Sequence, residues 1–174
     1  RSLVDASGAC EVVLRKPLPE KPEPASERVQ RSRSSDEDRK VDRAYEAALR
    51  ISSQGRPYVH GGGHGKPLDK IGPKEGLDCS SAVSLVLYRA GLFDGSRAMT
   101  SGELARKWGK PGKGKYLTVW ANDGHVFIEF NLPGKRYKRF DTSTGYGGGG
   151  GPGPRMRTTD RPTAGFTPRH WPGT

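Results

Sequence analysis

The chain has 174 residues, 32% of them hydrophobic, enough for one domain with a core, while 25 glycines and 14 prolines leave much of it outside regular elements. The formal net charge of +11 points to an anionic partner (nucleic acid, a membrane surface or an acidic polymer such as a cell wall), and residues 41–174 carry nearly all of it, with 21 basic against 11 acidic side chains. Two cysteines, Cys10 and Cys79, exclude a disulfide framework and a four-cysteine zinc site, and no run of about 20 apolar residues is present to span a membrane.

Residues 1–35 read as a proline-rich linker or surface arm. They hold one short apolar run, Val12-Val13-Leu14, followed by Pro17, Pro19, Pro22 and Pro24. Prolines at that density favour an extended, polyproline-like segment. No secretory signal is visible. A helix is predicted over 36–54, with Ser35 and Asp38 as a capping-box-like start. Val41, Ala44, Tyr45, Ala48 and Ile51 form its apolar face, and Gly55 ends it. Breaker-rich segments follow, Arg56-Pro57-Tyr58 and then His60-Gly61-Gly62-Gly63-His64-Gly65. This glycine loop lacks the spacing of a phosphate-binding loop. His60 and His64 lie on a loop rather than one helix face, so their spacing does not call for a metal ion, and none is expected.

The most informative stretch runs from Gly76 to Gly91. Ala82, Val83, Val86, Leu87 and Ala90 give a helix with a wide apolar face, Asp78 or Ser80 can cap its start, and Gly91 marks its end. Cys79 falls at the first turn. Free backbone N–H groups and the helix dipole favour an anion there, as a nucleophilic cysteine requires. Buried free cysteines are often inert packing, so its company matters. Thr100 and Glu103 form a capping box for a short helix over 103–108. Three strands are predicted, over 116–120, 125–130 and 135–142, separated by turn residues and read as an antiparallel meander. His125 opens the second strand, with Val126, Ile128 and Phe130 on one face and Phe127 and Glu129 on the other. Residues 146–174 read as a Gly/Pro-rich tail without regular elements, pinned to the domain by Phe166 and Trp171.

A cysteine nucleophile needs a base and a polar group to orient that base. The order here is Cys at a helix start, His at a strand start and a polar residue on the next strand. Arg56-Pro57-Tyr58-Val59-His60-Gly61-Gly62, Leu77-Asp78-Cys79-Ser80 and Gly124-His125-Val126 resemble the entry loop, nucleophile motif and base motif of the NlpC-like family of cell-wall cysteine peptidases. The resemblance covers about residues 40–145 and extends to part of the tail, within a domain expected over 36–145. It implies an α+β, permuted papain-like fold, an antiparallel sheet packed against helices, and a catalytic cysteine at a helix N-terminus. By that resemblance Cys79 is the nucleophile, His125 the general base and Asp141 the orienting group, with His170 of the tail as the alternative. Tyr58 and Ser80 would serve substrate or oxyanion binding. The activity implied is hydrolysis of peptidoglycan stem peptides, next to D-glutamate and a diamino acid, without cofactor or metal. The setting implied is extracellular, wall-associated or virion-associated, as a monomer or part of a larger chain. Ser81 and Phe127 stand where the family commonly has glycine, and are expected to add bulk near the cleft. A non-catalytic structural or wall-binding module, for example of a phage tail, is the alternative. A nucleic-acid binder rests on charge alone, without an aromatic-interleaved basic motif, and is not expected.

Overall fold

The computed structural model describes residues 25–174, with side chains from residue 36 onward. The apolar run, the prolines up to and including Pro24, and Cys10 lie outside the described residues. Among the described residues, three helices and six short strands make an α+β fold. The helices are α1 (Ala25–Ser53), α2 (Cys79–Ala90) and α3 (Ser101–Lys107), and a short 3-10 turn spans Leu68–Lys70. The strands are β1 (Lys110–Pro111), β2 (Leu117–Ala121), β3 (Val126–Phe130), β4 (Arg139–Asp141), β5 (Arg155–Arg157) and β6 (Thr167–His170). They form one sheet in the order β1-β6-β2-β3-β4-β5, with every pairing antiparallel.

α1 begins at Ala25, ten residues before the expected start at Ser35. The reason is local: no glycine or proline stands between Pro24 and Gly55, so nothing interrupts the helix once it leaves Pro24. The expected apolar face does pack inward. Val41, Ala44, Tyr45, Ala48 and Ile51 are buried against α2 and the sheet. Tyr45 meets Phe130 edge to face at 5.2 Å, and its hydroxyl accepts the Tyr137 N–H at 3.3 Å.

The meander is present, with β2, β3 and β4 near the expected positions. β2 and β3 register through Val119 opposite Ile128, and β3 and β4 through Ile128 opposite Phe140. Val126, Ile128 and Phe130 join Leu117, Val119 and Ala121 in the core shared with the helices. Phe127 and Trp120 are also buried, outside that core. Phe127 packs against Phe166 at 5.2 Å, under the chain that returns after β5. The sheet is thus covered on both faces.

The segment 146–174 departs most from expectation. It supplies two of the six strands, and β6 runs between β1 and β2, with Pro168 opposite Trp120. Strands of three or four residues carrying arginine and proline show no alternating pattern, so their place in the sheet comes from tertiary pairing alone. The glycine run before β5 is organised by arginines. Arg157 is buried and donates to the carbonyls of Gly149 at 2.6 Å and Gly151 at 2.9 Å. Arg139, also buried, donates to Gly147 at 3.2 Å and Asp160 at 2.9 Å. Gly148 has φ of +89°, and a Cβ there would stand 2.8 Å from Arg157 Cβ. Only glycine fits so close to the arginine stem in that conformation.

Because β6 lies inside the sheet, a chain ending at Gly153 exposes the edge of β2 and uncovers Phe127. Its thermal unfolding, followed by circular dichroism, is expected to lose the cooperative transition of the full chain.

Candidate active site

The start of α2 is fixed by a reciprocal cap. Asp78 is the N-cap, its Oδ1 accepting the Ser81 N–H at 2.8 Å, while Ser81 Oγ accepts the Asp78 N–H at 3.1 Å. Of the two expected capping candidates, Asp78 fills the role. Ser81 uses its hydroxyl in this cap. Cys79 is the first residue of the helix, a free thiol, 8% exposed. The N–H groups of Cys79 and Ser80 precede the first intrahelical bond, from Ala82 N–H to the Asp78 carbonyl.

The entry loop is tied directly to this helix start. Val59 N–H donates to the Leu77 carbonyl at 3.1 Å, and Leu77 N–H to the Pro57 carbonyl at 3.2 Å, so Tyr58 runs parallel to Leu77. Gly62 N–H closes a turn on the Val59 carbonyl at 2.9 Å. Gly63, with φ of +84°, lies against the first turn of α2: a Cβ would come within 2.7 Å of Ser81 Cβ. Tyr58 is held beside Cys79. Its phenol is shifted up, first by burial and then by the charges of Cys79 and Asp78.

His125 reaches the same place from the turn just before β3. Asn122 Oδ1 accepts the N–H groups of Gly124 at 2.9 Å and His125 at 2.8 Å, which fixes the turn before the strand. Asp141, at the end of β4, lies 2.9 Å from His125 Nε2 through its Oδ1. With Nε2 occupied, Nδ1 is the ring nitrogen open to the thiol. Burial pulls the imidazole pKa down, but the hydrogen bond with Asp141, with Cys79 close by, prevails and lifts it to about 9. Burial works on Asp141 in the opposite sense; hydrogen bonds from His125 and the Ser143 N–H overcome it and hold the carboxyl below the usual range. His170 lies elsewhere, on β6, with Nδ1 3.1 Å from the Gly112 carbonyl. Of the two candidates, Asp141 is therefore the one beside His125.

Cys79, His125, Asp141 and Tyr58 come together. The Ser80 hydroxyl belongs to a separate polar group, 3.0 Å from Asp78 Oδ1 and 3.1 Å from His64 Nε2. His64 also lies 3.1 Å from Asp78 Oδ2, and this hydrogen bond raises the imidazole pKa against the effect of burial. Burial would raise the Asp78 carboxyl, yet His64 and Ser81 hold it at about 2. His60 is exposed on the loop. Among the described residues, no three His, Cys, Asp or Glu side chains are grouped to hold a metal ion.

Two further side chains, Arg139 and Arg161, reach Asp141. Arg161 Nη1 lies 2.9 Å and Arg139 Nε 3.2 Å from Oδ2. Arg139 could have been found, since it stands two residues from Asp141 on one strand and so shares its face. Arg161, in an irregular segment, carries no such signal. An open cleft of about 360 Å³ adjoins the site, lined by Tyr58, His125, Thr142, Ser143, Thr144, Pro152 and Gly153. A larger depression of about 540 Å³, lined by Asp42, Arg43, Glu46, Ala47, Arg50, Gln54 and Arg89, is bordered by α1 and α2 and holds no nucleophile. Chemically, the assembly presents a thiol, a base oriented by a buried carboxylate, and free helix-start N–H groups beside an open cleft. Comparison of the chain with family models, curated proteins and solved structures gives no match.

The raised His125 pKa has a signed consequence. Its protonation contributes stability that is complete below about pH 6.5 and lost as pH rises through about 9. For Asp78 the contribution is complete above about pH 3.8 and lost as pH falls through about 2. An NMR titration of the His125 ring is expected to show a midpoint near 9, moving to lower pH in Asp141→Asn, where burial remains and the carboxylate is gone.

Proposed function

We propose that this protein is a thiol endopeptidase that cuts amide bonds in peptidoglycan stem peptides, built on an NlpC-like, permuted papain-type domain. The observation that carries the reading is Cys79 at the first turn of α2, with His125 beside it and held by Asp141 at 2.9 Å. Three sequence motifs in family order support the substrate class: the Tyr58 entry loop, Asp78-Cys79-Ser80 and Gly124-His125-Val126. The basic charge of residues 41–174 suits an anionic wall. This reading sets the place of action outside the cytoplasm, at the wall or on a virion.

His125 holds the thiol proton on Nδ1 as an imidazolium, in keeping with its raised pKa, and the Cys79 thiolate sulfur adds to the scissile carbonyl carbon. The resulting oxyanion is met by the Cys79 backbone N–H, with the Tyr58 hydroxyl as a second donor. As the C–N bond breaks, the imidazolium returns its proton to the leaving amine, and a thioester remains on Cys79. Water then attacks that thioester, giving its proton to His125, and the thiol is restored with release of the carboxylic acid. Asp141 stays ionised throughout, holding the ring and balancing the imidazolium charge. The bond implied by the family resemblance joins D-glutamate to a diamino acid.

Digestion of purified peptidoglycan, with mass spectrometry of the soluble fragments, tests this. The wild type is expected to release fragments with new amine termini inside stem peptides, and Cys79→Ala to lose that release by about 1,000-fold or more. Equal release by both proteins would remove Cys79 from the chemistry. No release by either, with both folded, would favour a non-catalytic wall or tail module.

A further inference from the structure

The two oxygens of Asp141 have different partners. Oδ1 accepts from His125 Nε2 at 2.9 Å and from the Ser143 N–H at 3.0 Å. Oδ2 faces two guanidinium groups, Arg161 Nη1 at 2.9 Å and Arg139 Nε at 3.2 Å. Arg139 is committed to structure, since its Nη1 and Nη2 hold the carbonyls of Asp160 and Gly147. Arg161 is different. Its side chain is 8% exposed and lies among three rings, 4.4 Å from Tyr146, 4.7 Å from Phe127 and 5.2 Å from Phe166. Its Nε, like that of Arg139, is buried without a hydrogen-bond partner, but neither of its Nη groups is spent on a backbone carbonyl. Leaving a buried donor unpaired is costly. The aromatic faces favour a cation there, but they do not require an Nη to point at the carboxylate.

We propose that Arg161 is a positioning residue for the Cys79–His125 pair: by gripping Asp141 Oδ2 it fixes the rotation of the carboxylate and keeps Oδ1 on His125 Nε2. The rotation of an aspartate carboxylate about its last bond is soft. Oδ1 has one fixed backbone donor, Ser143 N–H, and one partner that must gain and lose protons, His125. An anchor on Oδ2 removes the remaining freedom. The anchor comes from the segment between β5 and β6, so the returning chain that covers Phe127 also sets the base. The inference rests on the proposed function for its turnover readout, while a second readout, thiol reactivity, needs no substrate.

The test is a double-mutant cycle in the full chain: wild type, Arg161→Met, Asp141→Ala and both together, with Arg161→Lys alongside. Methionine keeps apolar bulk among the rings and removes the donor. Two quantities are followed, kcat and KM on wall stem peptides, and the rate of iodoacetamide alkylation at Cys79, read by mass spectrometry of its own peptide. Thermal midpoints establish that each variant is folded. Arg161→Met is expected to lower kcat by about 10-fold with KM unchanged, and to slow alkylation by a similar factor. Arg161→Lys should recover part of both. In the Asp141→Ala background, Arg161→Met should add nothing. Wild-type kcat and alkylation in a folded Arg161→Met protein would overturn the proposal, as would an equal loss with and without Asp141. If Arg161→Met does not fold, Arg161→Lys takes its place in the cycle: a loss present only with Asp141 supports the role, and its absence overturns it. If the wild type cleaves no stem peptide, the proposed function fails, and the alkylation cycle still decides the role of Arg161.

Discussion

A fully buried carboxylate is costly, and this fold is arranged around one. Asp141 has no exposed side-chain surface, and partners from several segments converge on it: hydrogen bonds with His125 before β3, the Ser143 N–H just beyond β4 and Arg161 from the return between β5 and β6, and the charge of Arg139 on β4 itself. Its backbone carbonyl accepts from Arg157 of β5 at 3.3 Å. Removing one partner of such a buried ionic group typically costs about 3–5 kcal/mol, because the remaining charge is left unpaired. Those partners come from both sides of the glycine run, and Arg139 and Arg157 also hold its carbonyls. The same residue therefore links the position of a candidate base, the end of the sheet and the course of the glycine loop. Charge satisfaction, more than apolar burial, fixes this corner of the molecule.

The helix start facing it is governed by a second buried acid with a different task. Asp78 caps α2 and is held by His64 and by the Ser81 N–H. Its carboxylate thus sets the angle of the first turn, and with it the sulfur of Cys79, while Asp141 sets the angle of the imidazole. Each acid has a histidine, but the two histidines differ. His64 stays beside its cap. His125 has its remaining ring nitrogen toward a thiol and an open cleft. Two acid–histidine pairs flanking one cysteine separate the job of holding the candidate nucleophile from that of holding the candidate base.

The parts of this arrangement visible in the sequence are those with a local signature. A capping residue before an apolar period announced α2 and the place of Cys79. Turn residues and alternation announced β3 and put His125 at its start. Thr100 and Glu103 announced α3, and both halves of their capping box are present. The start of α1 was misplaced because a serine followed by acids imitates a cap, although no breaker supports it. β5 and β6 were illegible for a deeper reason. Their residues, Arg155-Met156-Arg157 and Thr167-Pro168-Arg169-His170, have no strand preference, and they pair because the rest of the sheet offers edges. Arg161 is further from any pattern. Its role exists only once Phe127, Tyr146 and Phe166 surround it and Asp141 lies in reach. Long-range ionic contacts leave no period in a sequence.

Ser81 and Phe127 bear on what shapes the cleft. Both were expected to narrow it, and neither lines it. Ser81 is fully buried in the cap of α2, and Phe127 is buried beneath Phe166 and Arg161. The Phe127 ring faces away from the helices, where the segment after β5 covers the sheet. A glycine there would leave the Arg161 guanidinium one ring short and the covering segment without its main apolar anchor. The larger side chain and the covering segment thus belong together. The walls of the cleft are instead Tyr58, the Thr142–Ser143–Thr144 run and the Pro152-Gly153 corner. The hydroxyl run leaves Asp141 directly, and the corner follows the arginine-held glycines. The buried carboxylate that orients the candidate base therefore also anchors the chain that forms one wall of the space in which a substrate would lie.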